Sequence, residues 1–503
     1  MRRIREATLW LLLLTACKRY SPPLEAVSQY PTAVGQILLM RCAGCHKGYL
    51  ATDNHSTSPQ SLSSTHALSL THWDSLFYSP SRETPLIVPY APMHSTLLWH
   101  INSDTTWGPV ATPLMPPPLP DSANLLTTAE KNILRAWIAE GAPNAQGKKP
   151  WSENEQAPHR KVFVCASGAD LIAVYHADNY HLLRYIPVGV SPNRIESPHF
   201  IQFSPDHKYF YVTLIAGEAI EKYRTTDYQR VGRLSVGPEP AHIELTPDGR
   251  YGVITHFTDT HPVKLTLIDA ENMTVLDVLR DPLGEIIARP HGLWIDLAGD
   301  FAYVTANAGN YITKVSIDKT QKRFRDFIQI PLVSGEIPRP DSRFGPYQII
   351  GDGQGRYYVS CENSHEVRVF DASTDSFIAA VAVATAPKLM AYHNGFLYVA
   401  CLKAEAPALQ GQRMGAIAVM QTMPLRLLTH LYGLGHLPRG IGVDTRKQQL
   451  FISYENLTGA DPPHHANSNS TSPGKLYVLS LHSFCPQAIR EFAPGGYGLG
   501  LVP

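Results

Sequence analysis

Two sets of residues in this 503-residue chain have types and spacings that could do chemistry. The first is Cys42-Ala43-Gly44-Cys45-His46. A CxxCH run is the attachment signature of a c-type haem: each thiol adds across one vinyl group, and the adjacent imidazole reaches the iron. The second set is spread through a recurring phrase in the later chain. His199, His242 and His291 follow the same cue, and Tyr347, Lys388 and Arg439 stand at the corresponding places of weaker copies. Three imidazoles brought together suit copper or another metal, or the axial anchor of a second haem. Two cations beside them would hold an anion while an electron arrives. The plainer alternative is that these side chains only hydrogen-bond to one another.

The first set needs a small framework. Ala33 to Met40 reads as an amphipathic helix running into the CxxCH motif. Thr127 to Ile138 reads as a second helix, capped by Thr127 or Thr128, with Glu130 in its first turn and Gly141 and Pro143 ending it. Met115-Pro116-Pro117-Pro118 offers a soft thioether on a stiff backbone, which suits a second iron ligand and favours reduced iron. His94 or His100 would give bis-histidine ligation instead, or the sixth position stays open. The arrangement resembles the small class I-like monohaem cytochrome c domain. That resemblance implies an all-α domain with one covalent haem c, attached at Cys42 and Cys45 and ligated by His46 and Met115.

The remaining phrases specify a different fold. Pro198-His199, Ala241-His242 and Pro290-His291 each lead through a short strand and a turn to Tyr209–Thr213, Tyr251–Thr255 and Phe301–Thr305. Copies beginning at Pro346, Pro387 and Pro438 repeat the plan at intervals of about 40 to 55 residues, the length of a four-stranded propeller blade. The phrase resembles the YVTN family of β-propellers, including the YncE-like proteins. Six copies are visible, and a seventh blade is assembled from Lys161 to Pro187 plus a C-terminal strand at Lys475 to Leu481. Eight blades is the alternative. The fold class expected is therefore mixed and multidomain: a small all-α cytochrome c domain followed by an all-β seven-bladed propeller. The order of the two is reminiscent of cytochrome cd1-type proteins, although no long insertions suited to a d1 macrocycle are visible.

The ends set the compartment. Arg2, Arg3 and Arg5 precede an apolar run from Leu9 to Ala16, the pattern of an export signal. Leu14-Thr15-Ala16-Cys17 resembles the lipobox of bacterial lipoproteins, which implies lipidation at Cys17. Lys18 and Arg19 do not resemble an inner-membrane retention signal, so the outer membrane, on its periplasmic or surface face, is expected. The boundaries expected are 1–17 signal and lipidation site, 18–31 tether, 32–143 cytochrome domain, 144–160 linker, 161–485 propeller and 486–503 surface tail. With 43 basic and 43 acidic side chains the chain has no formal net charge, so bulk electrostatics favour no nucleic-acid partner. Cys165, Cys361 and Cys401 sit in or beside apolar strand-like runs and read as buried small hydrophobes. The functional expectation is one-electron transfer by a membrane-anchored cytochrome whose propeller docks a redox partner. The alternatives are a periplasmic oxidoreductase with a metal or second-haem site in the propeller channel, and a structural subunit of a membrane-bound redox complex.

Overall fold

A computed structural model describes residues 29–46, 68–77, 85–119, 124–152, 160–403, 414–455 and 473–502. Cys17, the export signal and most of the tether lie outside them. The chain divides into two compact units, Met1–Glu155 with His181–Tyr185, and Gln156–Tyr180 with Ile186–Pro503.

The second unit is a seven-bladed propeller. Seven four-stranded antiparallel sheets follow one another, each opening on its inner strand. Blades 1 to 6 start at Pro198–Phe203, Pro240–Leu245, Pro290–Ile295, Pro346–Gly351, Thr385–His393 and Pro438–Asp444. The inner strands carry bulky β-formers, and the sheets pack face to face through apolar clusters. Val253, Leu265 and Leu267 of blade 2, for example, bury against Leu293, Ala302 and Val304 of blade 3. Cys165, Cys361 and Cys401 are fully buried free thiols within these sheets.

Blade 7 differs from the expectation. Its inner strand is Gly496–Val502, paired with Lys161–Ala166, and not Lys475–Leu481. Pro473–Ser480 is instead the third strand of blade 6, and Pro486–Pro494 is its outermost strand. The stretch expected as a surface tail therefore holds a blade edge and the closing strand. Its alternating glycines disguised it, because they lower apparent β-propensity. They are needed where inner strands crowd: a Cβ on Gly498 would stand 2.5 Å from the His199 carbonyl oxygen.

The expectation of a separate all-α cytochrome domain is overturned. Before residue 153 the described residues form only three short α-helices: Thr32–Ile37 (α1), Thr96–His100 (α2) and Thr128–Ala139 (α3). The helix expected over Ala33 to Met40 stops at Ile37, where the backbone widens into a π turn over Leu38–Cys42. In the stretch from residue 85 to 119, Pro85, Pro89 and Pro92, and again Pro109, Pro113 and Pro116 to Pro118, leave room for α2 alone, since each proline removes a donor and clashes with the preceding turn. Only α3 has the length and the caps expected. The Thr127 hydroxyl accepts from the Glu130 N–H, and the Glu130 carboxylate accepts from the Thr127 N–H. An apolar cluster including Leu38, Leu39, Leu134 and Ile138 holds this unit together, with Cys42 at its edge. No described helix is long and apolar enough to cross a membrane.

Candidate functional site: the propeller channel ring and the CxxCH turn

Each inner strand reaches the channel at one irregular place. Pairing with the second strand slips there in all seven blades, and bulges of this kind re-aim a side chain. Ser197, Glu239, Arg289, Gly345, Ala386, Leu437 and Gly495 all have positive φ, from 49° to 84°. Two residues after each of these comes the ring position: His199, Ala241, His291, Tyr347, Lys388, Arg439 and Tyr497. His242 is therefore one residue out of step with His199 and His291, and the expected equivalence of the three histidines is corrected.

Hydroxyl groups of the second strands confirm this register. Thr213 Oγ1 accepts from the Phe200 N–H at 3.1 Å and donates to Ala241 O at 2.8 Å. Thr255 does the same between the His242 N–H and His291 O, at 3.1 and 2.7 Å. Ser360 and Ser453 repeat the clasp toward Lys388 O and Tyr497 O. The Thr or Ser of the repeated phrase thus ties one blade to the ring residue of the next. Ala400 and Cys165 stand at that place in blades 5 and 7.

The histidines nonetheless meet. Ring centroids lie 4.6 Å apart for His242 and His291, 5.8 Å for His199 and His242, and 5.9 Å for His199 and His291. His199 Nδ1 lies 3.0 Å from Ala241 O, and His291 Nδ1 lies 3.0 Å from Tyr347 O. A carbonyl only accepts, so both Nδ1 atoms carry the proton. Burial pushes the His242 imidazole down to about 3 and holds His291 well below its ordinary value. Among the described residues no group of three or more His, Cys, Asp or Glu is arranged to hold a metal ion.

The cationic side of the ring is compensated. Lys388 is hydrogen-bonded to Glu362, which also accepts from Asn307 at 2.8 Å. Arg439 reaches the Glu455 carboxylate at 3.1 Å. Lys388 sits 3.9 Å above the Tyr347 ring, and burial pulls its amine down to about 8 against the attraction of Glu362. The Tyr347 and Tyr497 hydroxyls are 2.6 Å apart, a hydrogen bond across the channel from blade 4 to blade 7. Each cation is matched by a carboxylate, so the anion-holding role expected of Lys388 and Arg439 has no unmatched charge to draw on.

In the first unit, Cys42 closes the π turn. The Cys45 and His46 N–H groups both donate to Cys42 O at 3.2 Å, so the motif forms one tight turn, and His46 O accepts from Leu70 at 2.8 Å. Cys42 is a free thiol, pushed up to about 12 by burial against the opposing pull of Arg41. The donor set has the chemistry of haem attachment: two cysteines three residues apart on one turn, followed by an imidazole. The Met115 backbone N–H donates to His100 O at 2.7 Å, and His100 Nδ1 bonds Pro113 O at 2.9 Å. The other thioether nearby in sequence, Met93, accepts from Arg135 at 3.2 Å.

No family model matches this chain, and no curated protein matches it in sequence. Solved structures do. A functionally unknown protein from Desulfotomaculum acetoxidans DSM 771 aligns with a TM-score of 0.52 at 13% identity, covering 68% of this chain and 98% of its own. Dihydro-haem d1 dehydrogenase NirN in complex with DHE aligns at 0.47 and 13%, covering 83% and 93%. Kuenenia stuttgartiensis hydrazine synthase aligns at 0.43 and 15%, covering 58% and 79%. The first likeness shows the fold alone, and the other two are too distant to carry an argument.

Sequence reasoning missed three members of the ring system. Tyr497 completes the seven positions, and its signal was present: Gly496-Tyr497-Gly498 parallels Pro438-Arg439-Gly440. In both, the final glycine allows an adjacent inner strand to approach. Glu362 and Glu455 each follow the end of a second strand, directly after Cys361 and Tyr454. A buried cation needs a partner, so Lys388 and Arg439 were themselves the clue.

Proposed function

We propose that this chain is a one-electron transfer protein that carries a haem covalently at Cys42 and Cys45, with His46 as an iron ligand and Met115 as the second. The observation that carries the reading is the CxxCH turn, with both thiols and the imidazole within one hydrogen-bonded loop at the edge of an apolar cluster. A haem so held supplies reversible Fe(III)/Fe(II) chemistry. The chain's own part is positional. The π turn and Ala43, which is fully buried, fix the motif against the apolar cluster. Pro116 to Pro118 limit the backbone that presents Met115.

The propeller serves in this reading as the docking body for a redox protein partner. Its channel is bridged by the two tyrosines and its cations are engaged by glutamates, which supports a binding role for the propeller over an electron-consuming one. The Leu14–Cys17 segment supports lipid anchoring outside the cytoplasm, at a bacterial outer membrane.

The test is expression in an exporting host with haem-attachment machinery, followed by denaturing electrophoresis with haem staining and a pyridine haemochrome assay. One haem per chain, lost in Cys42→Ser with Cys45→Ser, is the expected result. Apoprotein after export and reduction, from a host that matures a control c-type cytochrome, would refute it. Met115→Ala is expected to keep the covalent haem and to abolish the long-wavelength sulfur-to-iron band of the oxidised protein.

A further inference from the structure

The channel holds a cavity distinct from the polar ring. Its volume is about 450 Å³, within the range of small-molecule sites. Its lining begins with residues that directly follow ring positions, namely Phe200, Gln348 and Leu389, and continues through Phe203, Met390 and Leu499. None of the residues lining it is a lysine, arginine, aspartate or glutamate. Phe200 is backed by the His242 ring, stacked at 4.2 Å, so one wall is an aromatic pair.

The polar lining residues are the amides Gln202 and Gln348 together with Ser204, Thr246 and His207. The Gln348 side-chain oxygen accepts from the Met390 N–H. What Gln348 can offer to a ligand is therefore its NH2 group, a donor. Gln202 is hydrogen-bonded to Glu244, whose carboxyl is pushed up to about 8 by burial. Burial thus disfavours charge on that pair, and the lining offers neither lysine nor arginine to compensate an anion, His207 being its one imidazole.

We infer that this cavity binds a small, uncharged, planar molecule that stacks against Phe200 and accepts a hydrogen bond from the Gln348 amide. A neutral aromatic amide or nitrogen heterocycle has this chemistry. The inference stands apart from the haem reading and does not depend on it.

Nicotinamide and nicotinate form a matched probe pair that differs chiefly in charge. The full-length protein, labelled with 13C at its methionine methyls, is titrated with each. The Met390 resonance is assigned through Met390→Leu. Nicotinamide is expected to move the Met390 signal at one-to-one stoichiometry with a Kd of about 1 mM or below, and nicotinate to bind at least about tenfold more weakly, since it would bury an uncompensated charge. Gln348→Leu is expected to weaken nicotinamide about five- to tenfold, the loss of one hydrogen bond. If that variant does not fold, an intermolecular nuclear Overhauser effect between nicotinamide and the Met390 methyl of the unmutated protein decides the same point. Equal binding of the two probes, no movement at Met390, or affinity unchanged in folded Gln348→Leu would each overturn the inference.

Discussion

The propeller and the first unit follow different logics, and the difference lies in repetition. In the propeller one local rule is executed seven times: a positive φ, a slip in pairing and a side chain at the channel, joined in five blades by a hydroxyl clasp to the next. A position in one blade therefore explains its counterparts. The first unit has no counterparts. Its three α-helices, its π turn and its proline-dense stretch each occur once, and each is held by contacts particular to it. Sequence patterns that resembled an all-α domain there had no second copy to check them against.

The comparison can be broken most forcefully at the closing strand. If equivalence governs the propeller, Gly498→Val should be as damaging as Gly440→Val, because in each a side chain would run into backbone of an adjacent inner strand. Overpacking alone costs about 1–3 kcal/mol, and here the obstacle is backbone that cannot rotate away. Loss of cooperative melting in both variants is expected, and a folded Gly498→Val beside an unfolded Gly440→Val would break the equivalence.

Acid provides a test of intermediate size. The His242 imidazole falls to about 3 and His256 to about 4 in the folded protein, from an ordinary 6.5, because both are buried. The folded state therefore binds fewer protons than the unfolded chain in this window. Stability is full above about pH 6.5 and is lost progressively as pH falls from there toward 4. Urea unfolding midpoints measured across this range should decline, and His242→Gln should make the decline shallower. A flat profile would mean that these imidazoles are not dry.

The smallest effect sharpens the comparison within the propeller. Thr255→Val deprives the His242 N–H and His291 O of their shared partner and should cost about 1–3 kcal/mol. Ala400→Thr offers blade 5 the hydroxyl it lacks and should be neutral or slightly stabilising. A stabilising Thr255→Val, read from thermal or urea melts, would show that the clasp contributes nothing.

How much of this was legible in the sequence follows the same divide. The blade period, the inner-strand phrase and the channel side chains His199, His291, Tyr347, Lys388 and Arg439 could be read because each recurs beside a proline. His242 is legible too, but in the wrong register: Pro240 is followed by Ala241, and the histidine stands one place later. A one-residue slip is invisible when side chains of both parities lie near a bulge. The closing strand was missed because crowding demanded glycine at alternate positions, so it carried little hydrophobic signal. In the first unit the CxxCH motif was plain, since five adjacent residues define it. The surrounding architecture was not, because the π turn at Leu38–Cys42 depends on packing that no local pattern announces.

The pairing of Phe163 with Gly500 has a consequence for how the propeller loses structure. A linear array of repeats frays from its ends, because each terminal unit has one neighbour. A closed ring has no terminal unit. Every blade is flanked on both sides, and the first to open must break two interfaces at once. Partial opening is thereby suppressed everywhere except at the seam, where the inner strand is not joined by a turn to the strand it pairs with. Hydrogen exchange along Gly496–Val502 should accordingly report the earliest breathing of the whole circle.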